Sequence, residues 1–374
     1  MKNIHWLGSG LSSIPGIRRL ASNNHKLTVW NRTLSKAQKS IDHVKTDKVL
    51  AKTFKLQEIL ENVKQGDIII SQLTASMHLD IAKLCLEKKC HFLTTSYLSP
   101  EIKKLNEQAI AQNLIFINEV GLDPGIDHFF SHLMVKELKS LNLNNLSVSY
   151  KSYCGGIPAV ANDFKYKFSW SPVGVIKALN SPAKFIHNFK EKNISQPYKE
   201  VKNYLINNEN FEAYPNRNSL PYIKEYLFSS EWKIKEFVRG TLRLNGWTLA
   251  WKEIFDMLEK QDTNIDEQIQ IKSNELWKNY RYDKNEEDRV VLWVNLEAYH
   301  QNKKVFSSTY KLDEKGSGEN TAMAKLVSIT LSAAVDLMLQ NKIQPGVQTA
   351  PSNEHIINYF FKVLSDYSIK IDHQ

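Results

Sequence analysis

The sequence predicts an α/β protein, with an N-terminal domain doubly wound on a parallel sheet and then an α+β domain carrying a small helical insert. Three observations carry this expectation. Over roughly the first 120 residues short apolar runs alternate with amphipathic helical patterns, the rhythm of parallel strands joined by crossover helices. Gly8-Ser-Gly10 directly follows the first apolar run and opens a helical pattern. Beyond Gly125 the strands lengthen and lose their regular alternation with helices.

Each element has a local reason. Strands are expected at 3–7, 26–30, 67–72, 91–95 and 114–120, where apolar and β-branched residues cluster. Helices are expected at 35–41, 56–63, 77–88 and 100–112. Pro100 sits in the first turn of the last of these, where a missing N–H costs nothing. A long helix follows at 126–141, with Asp127 placed to cap it. Strands are expected next at 147–153, 241–244 and 290–299, and a helical stretch at 248–280. An apolar helix at 321–338 and a last helix at 354–364 close the chain. The expected division is 1–125, then 126–320 with an insert at about 245–287, then 321–374 returning to pack on the first domain.

Composition narrows the function. The 374 residues are 42% hydrophobic and 24% charged, with a formal charge of +9. The basic residues are scattered rather than clustered, which argues against a nucleic-acid surface. Cys85, Cys90 and Cys154 form no CxxC or zinc-like spacing, so neither a disulfide framework nor a metal site is expected. His128 and His132 stand at i, i+4, but the Glu of HExxH and a third ligand are missing, so both are expected in the core. No signal peptide is visible, and the apolar stretch 327–339 is short and carries Asp336. A cytoplasmic protein without membrane or nucleic-acid partners is the expectation.

The glycine turn marks a cofactor site. Small residues after a first strand let backbone approach a pyrophosphate, whose charge the helix N-terminus favours. Gly8, Gly10, Leu11 and Ser12 form this turn, although Ser13 stands where the usual third glycine would be and Gly16 comes three residues later. A site for NAD would place an acid at the end of the second strand to accept from the ribose 2′-OH. The segment here is Val29-Trp-Asn31-Arg32-Thr33, with no acid and one arginine able to pair with a 2′-phosphate. NADP is therefore expected. Leu73, Thr74, Thr95 and Ser96, at the carboxyl ends of later strands, complete the expected cofactor contacts.

The same strand ends bring unusual chemistry. The loop Glu119-Val-Gly-Leu-Asp123-Pro-Gly-Ile-Asp127 is stiffened by Gly121, Pro124 and Gly125 and presents Asp123. Tyr97 offers a phenol beside it, and Cys154-Gly155-Gly156 ends the next domain's first strand. An Asp, a Tyr and a Cys converging on a nicotinamide suit proton handling during hydride transfer.

The strings GSG, NRTLSKAQ, LTTSYLSPE, NEVGLDPGIDH, SYCGGIPA, YKFSWSP, AYPNRNS, RGTLR and TAMAK occur in this order. In them the chain resembles the saccharopine dehydrogenase family, in particular its glutamate-forming reductases. The resemblance covers most of the chain. It implies a Rossmann domain, a mixed domain for substrate and dimerisation, and a small helical region. It also implies a reaction of lysine metabolism: glutamate condenses with 2-aminoadipate 6-semialdehyde, and NADPH reduces the imine to saccharopine, or the reverse. On this resemblance Tyr97, Asp123, Cys154 and Gly155 surround the reacting carbon and nitrogen, Arg217 and Thr241 clamp a substrate carboxylate, and Trp170 walls the pocket.

The chain departs from the family at Leu73-Thr74, in place of an apolar-Pro pair, at Val173, in place of a basic residue, and in a shorter helical region. A carboxynorspermidine-type reductase on the same scaffold, or a non-catalytic NADP-binding sensor, are the alternatives. The first would have no glutamate carboxylates for Arg217 to hold. The second would need the glycine turn but not Tyr97, Asp123, Cys154 and Arg217 together.

Overall fold

The computed structural model describes residues 2–260 and 264–374; residues 261–263, inside the expected helical insert, lie outside the described residues. The chain forms two compact units, Met1–Phe129 with Met323–Ile369, and Phe130–Ala322 with Lys370–Gln374.

The first unit runs β1 (Asn3–Leu7), α1 (Ile14–Ser22), β2 (Lys26–Asn31), α2 (Leu34–Ser40), β3 (Val49–Thr53), α3 (Leu56–Asn62) and β4 (Ile68–Ser71). It continues through α4 (His78–Glu87), β5 (His91–Leu93), α5 (Pro100–Lys103), α6 (Asn106–Ala111), β6 (Ile115–Ile117) and the start of α7 (Ile126–Ser140). The strands pair in parallel, in the order β6-β5-β4-β1-β2-β3. The order reverses between β1 and β4, the crevice where open α/β sheets bind ligands. All four residues of β4, Ile-Ile-Ile-Ser, are buried, as a parallel sheet covered on both faces requires. One face packs Trp30, Ile69, Phe92 and Phe116 against its helices.

Sequence reasoning missed β3, a short edge strand with mixed burial. The helix expected at 100–112 is two short ones, because Lys104 and Leu105 turn between α5 and α6. The strand expected to reach residue 120 ends at Ile117; Glu119 has φ +59, which no strand accommodates.

The second unit contains β7 (Ser147–Pro158), α8 (Pro172–Leu179), β8 (Ala183–His187), β9 (Lys190–Ile194), β10 (Lys202–Ile206), β11 (Glu209–Pro215), α9 (Pro221–Glu225) and β12 (Lys233–Leu244). Then come α10 (Trp247–Ala250), α11 (Lys252–Glu259), α12 (Ile265–Tyr280), β13 (Glu287–His300) and β14 (Lys303–Ser317). Their sheet is mixed: β7 and β12 pair in parallel, and β13 and β14 form a long antiparallel hairpin. Strand β7 runs through Cys154, so Cys154-Gly155-Gly156 lies within the strand rather than at its end. The alternating burial of β14, with Ser308, Tyr310 and Leu312 inward and Lys311, Asp313 and Lys315 on the other face, hid that strand from a reading based on continuous apolar runs. The helical insert closes over Tyr166, Tyr214, Trp247 and Trp251, an aromatic core of its own.

The chain then re-enters the first unit with α13 (Ala322–Leu339), β15 (Gly346–Gln348) and α14 (Glu354–Asp366), and ends in the second unit's sheet with β16 (Asp372–His373). Strand β15 adds beside β6 as a seventh parallel strand. Helix α13, 18 residues long, is longer than the apolar stretch singled out in the sequence and would be long enough to cross a bilayer. It is instead 78% buried within the protein. Gly16 N–H donates to Ser328 Oγ at 2.8 Å, and a Cβ at Gly16 would overlap Ser328 backbone. Gly16 thus serves helix–helix contact. Asp336 of α13 accepts from Arg19 and from Tyr359 OH, so its charge is paired inside the unit.

Candidate functional site

The turn after β1 is shaped by what a side chain would hit. Gly8 adopts φ +95, and a Cβ there would stand 2.7 Å from Gln72 O at the end of β4. Its N–H donates to Trp30 O at 2.8 Å, pinning the turn to β2. Gly10 faces open space, Leu11 is exposed and Ser12 half-buried, so the turn leaves backbone uncovered. Ser9 Oγ accepts from Asn31 Nδ2 at 2.7 Å, and Asn31 Oδ1 accepts from Thr33 N–H at 3.0 Å. Asn31 therefore braces both the glycine turn and the Arg32 turn, and Arg32 itself is exposed. A bare glycine turn at the switch point, with an exposed arginine and no acid at the end of β2, fits a dinucleotide with a 2′-phosphate.

The remaining expected cofactor residues lie at the ends of β4 and β5. Leu73 packs partly on the core and Thr74 is exposed. Thr95 Oγ1 accepts from Gln72 Nε2 at 3.0 Å. Ser96 Oγ lies 2.7 Å from His78 Nε2, whose other nitrogen, Nδ1, lies 2.9 Å from Ser71 Oγ. Burial pushes the His78 pKa down to about 4, so it is a neutral link between two serines. Sequence reasoning missed this histidine because nothing local marks it.

Beyond β6 the chain makes a tight loop. Gly121 N–H donates to Pro124 O at 3.0 Å across the cis Asp123–Pro124 bond, and a Cβ at Gly121 would stand 2.9 Å from Thr95 Cβ. Asp127 Oδ1 accepts from Gly125 N–H at 2.7 Å, tying the loop to the first turn of α7. The structure brings Tyr97 and Asp123 together: the phenol donates to Asp123 Oδ1 at 3.2 Å, and both side chains are half-buried. Glu119, which sequence reasoning did not single out, is 3% exposed and lies behind this pair. Its Oε1 accepts from Leu98 N–H at 2.8 Å and its Oε2 lies 2.8 Å from His128 Nε2. His128 and His132 are both buried, His132 edge-on to Tyr226. Among the described residues no group of three or more His, Cys, Asp or Glu is arranged to hold a metal.

The second unit places Cys154, Gly155 and Thr241 on one sheet, while Arg217 and Trp170 lie in loops outside its strands. Tyr214, Thr241, Cys154 and Leu292 are register partners across β11, β12, β7 and β13, so their side chains share a face. Cys154 is buried, and a Cβ at Gly155 would stand 2.5 Å from Leu242 O, which keeps that position small. Arg217 follows β11 with φ +54; its carbonyl accepts from Lys184 N–H at 2.9 Å and its side chain is exposed. Trp170 is 38% exposed, hence no core tryptophan; its ring lies where a Cβ on Gly174 would stand 2.5 Å away.

Arg243, two residues beyond Thr241 on β12, was also missed by sequence reasoning. It is 5% exposed and sits 4.9, 5.5 and 5.4 Å from the rings of Tyr166, Tyr214 and Trp247. Among the described residues it makes no ion pair; it donates to Tyr214 OH at 2.9 Å. Such a caged cation favours an anion nearby. The signal available in the sequence was its i, i+2 spacing from Thr241.

Comparison with known proteins places these features in a family. Residues 4–117 match the model of the saccharopine dehydrogenase NADP binding domain, and residues 121–369 that of the saccharopine dehydrogenase C-terminal domain. The chain is 28% identical to a Pyricularia oryzae saccharopine dehydrogenase [NADP(+), L-glutamate-forming], over 98% of this chain and 97% of that one. It is 33% identical to the Saccharomyces cerevisiae protein of the same description, over 75% of this chain and 63% of that one. The apo structure of saccharopine dehydrogenase (L-Glu forming) from Saccharomyces cerevisiae superposes with a TM-score of 0.81 and 25% identity, covering 100% of this chain and 99% of that one.

Proposed function

The chain belongs to the saccharopine dehydrogenase family, and from that premise we propose that it interconverts saccharopine with L-glutamate plus 2-aminoadipate 6-semialdehyde as an NADP-dependent oxidoreductase. The observation that carries the reading is the Tyr97–Asp123 hydrogen bond, set at the carboxyl edge of the same parallel sheet whose β1 turn fits NADP.

When bound, NADP(H) accepts or supplies the hydride. The chain's own residues do the rest. Tyr97 and Asp123 form a short donor–acceptor relay that can hold a proton for the substrate nitrogen. The same relay can assist departure of hydroxide from the carbinolamine that precedes the imine. Arg217 and Arg243 supply positive charge for substrate carboxylates, which a planar guanidinium grips with two hydrogen bonds. Thr241, Cys154, Gly155 and Trp170 shape the wall around the chain of the substrate.

The proposal extends to a cytoplasmic homodimer acting on small amino acids, with neither nucleic acid nor membrane as partner. Scattered basic residues support the absence of nucleic acid, and the burial of α13 within the protein that of a membrane span. The homodimer rests on the family resemblance, and the cytoplasmic location on cysteines that form no disulfide framework. Purified protein should reduce NADP when given saccharopine and release glutamate. Release of lysine and 2-oxoglutarate, or no reduction at all, overturns the assignment.

A further inference from the structure

We infer that Glu119 is a positioning residue for this chemistry, holding Tyr97 in register with Asp123; the inference rests on the reading of that pair as the proton-handling site.

Glu119 brackets Tyr97 from both sides. Its backbone N–H donates to Ser96 O at 3.1 Å, and its carboxylate Oε1 accepts from Leu98 N–H at 2.8 Å. Ser96 and Leu98 are the two neighbours of Tyr97, so one residue fixes the peptide on each side of the phenol. The other carboxylate oxygen faces the Asp123 loop: Oε2 lies 2.8 Å from His128 Nε2, and His128 Nδ1 lies 3.5 Å from Asp127 Oδ2. Asp127 in turn holds Gly125 N–H, two residues from Asp123. Tyr97 and Asp123 thus hang on opposite ends of one buried frame, and their 3.2 Å hydrogen bond is set by that frame.

The frame is costly to maintain. Glu119 is 3% exposed and holds φ +59, a left-handed conformation that costs an ordinary residue about 1 kcal/mol or more. Burying a carboxylate is unfavourable unless hydrogen bonds compensate. An apolar residue would avoid the cost of burying a charge, though not that of the left-handed backbone, and it could not bond Leu98 and His128 at once. A glutamine could: its oxygen accepts from Leu98 N–H while its amide nitrogen faces His128 Nε2.

The test is a double-mutant cycle in the full-length enzyme, following NADP reduction by saccharopine, with NADPH binding and thermal melting measured on every variant. Glu119→Ala is expected to lower kcat about tenfold with NADPH affinity unchanged, and Glu119→Gln to restore it to within about threefold. In a Tyr97→Phe background, Glu119→Ala should cost less than about twofold more, because the residue it positions is gone. Multiplicative losses, a wild-type kcat in Glu119→Ala, or an unaffected Tyr97→Phe enzyme would overturn the inference. If Glu119→Ala does not fold, His128→Leu takes its place in the cycle, with a loss of about threefold or more expected to vanish in the Tyr97→Phe background. A wild-type enzyme inactive on saccharopine would instead refute the substrate assignment, a different result from an active enzyme with additive mutants.

Discussion

Tyr97 donates its phenolic hydrogen to Asp123 Oδ1 at 3.2 Å, from the end of β5 to the loop after β6. Twenty-six residues separate them in the chain, and adjacent parallel strands bring them to one edge. If this pair moves the substrate's proton, Tyr97→Phe and Asp123→Asn should each lower kcat at least about tenfold, or about 1.4 kcal/mol of barrier. Steady-state kinetics with saccharopine checks this. NADPH affinity, measured by fluorescence titration, should stay near wild type in both.

Gly8 cannot carry a side chain. With φ +95 and Gln72 O only 2.7 Å from a Cβ, Gly8→Ala should open the β1–β4 crevice and weaken NADPH binding by about 100-fold. Fluorescence titration reads the loss directly. Gly10→Ala, facing open space, should fold normally and lower affinity only if the cofactor backbone fills that space.

Arg32 should decide between the two nicotinamide cofactors. Arg32→Glu replaces the proposed partner of the 2′-phosphate with a repelling charge that can accept from a ribose hydroxyl. The ratio of kcat/KM for NADP over NAD should fall by about 100-fold, the worth of one charge-assisted contact plus the added repulsion. A ratio that does not move would show that the phosphate is read elsewhere.

Gly16→Ala tests how closely α1 and α13 pack. The new methyl would overlap Ser328 backbone and disturb the Gly16 N–H to Ser328 Oγ bond. Such overpacking costs about 1–3 kcal/mol. Differential scanning calorimetry should show the transition shifted down by several degrees, while Ser328→Ala should shift it less.

His78 gives the first unit a pH dependence. Burial lowers its folded pKa from 6.5 to about 4, so the unfolded chain takes up a proton first as pH falls. Stability is therefore full above pH 6.5 and is lost as pH drops toward 4, by up to about 3 kcal/mol from this group. His78→Gln should reduce the fall of the melting temperature over that window, the remainder coming from His91, whose pKa burial also pushes down to about 4. A slope equal to wild type would place the titration at other groups.

Much of this protein was legible in its sequence. The alternation of apolar runs and helical patterns is a local property, and it announced the doubly wound sheet. The glycine turn after β1 and the absence of an acid beside Arg32 announced the NADP site in the same way, because a strand end and the residues after it are contiguous. Tyr97 and Asp123 could be named as partners once two neighbouring strands were known to end beside them. The aromatic insert was visible as a helical stretch, though not as a core.

The rest was decided by tertiary structure, because it depends on which distant segments meet. Gly16 looks like a displaced cofactor glycine until Ser328, 312 residues away, lies against it. Arg243 looks like one more surface arginine until Tyr166, Tyr214 and Trp247 close around it. Glu119 looks like a loop acid, yet it is buried, left-handed and bonded to Leu98 and His128. Periodicity and turn chemistry specify elements and their exposed ends. Burial, register and long-range hydrogen bonding specify which side chain serves the site, since the cost of an unpaired buried group exists only once the chain has folded around it.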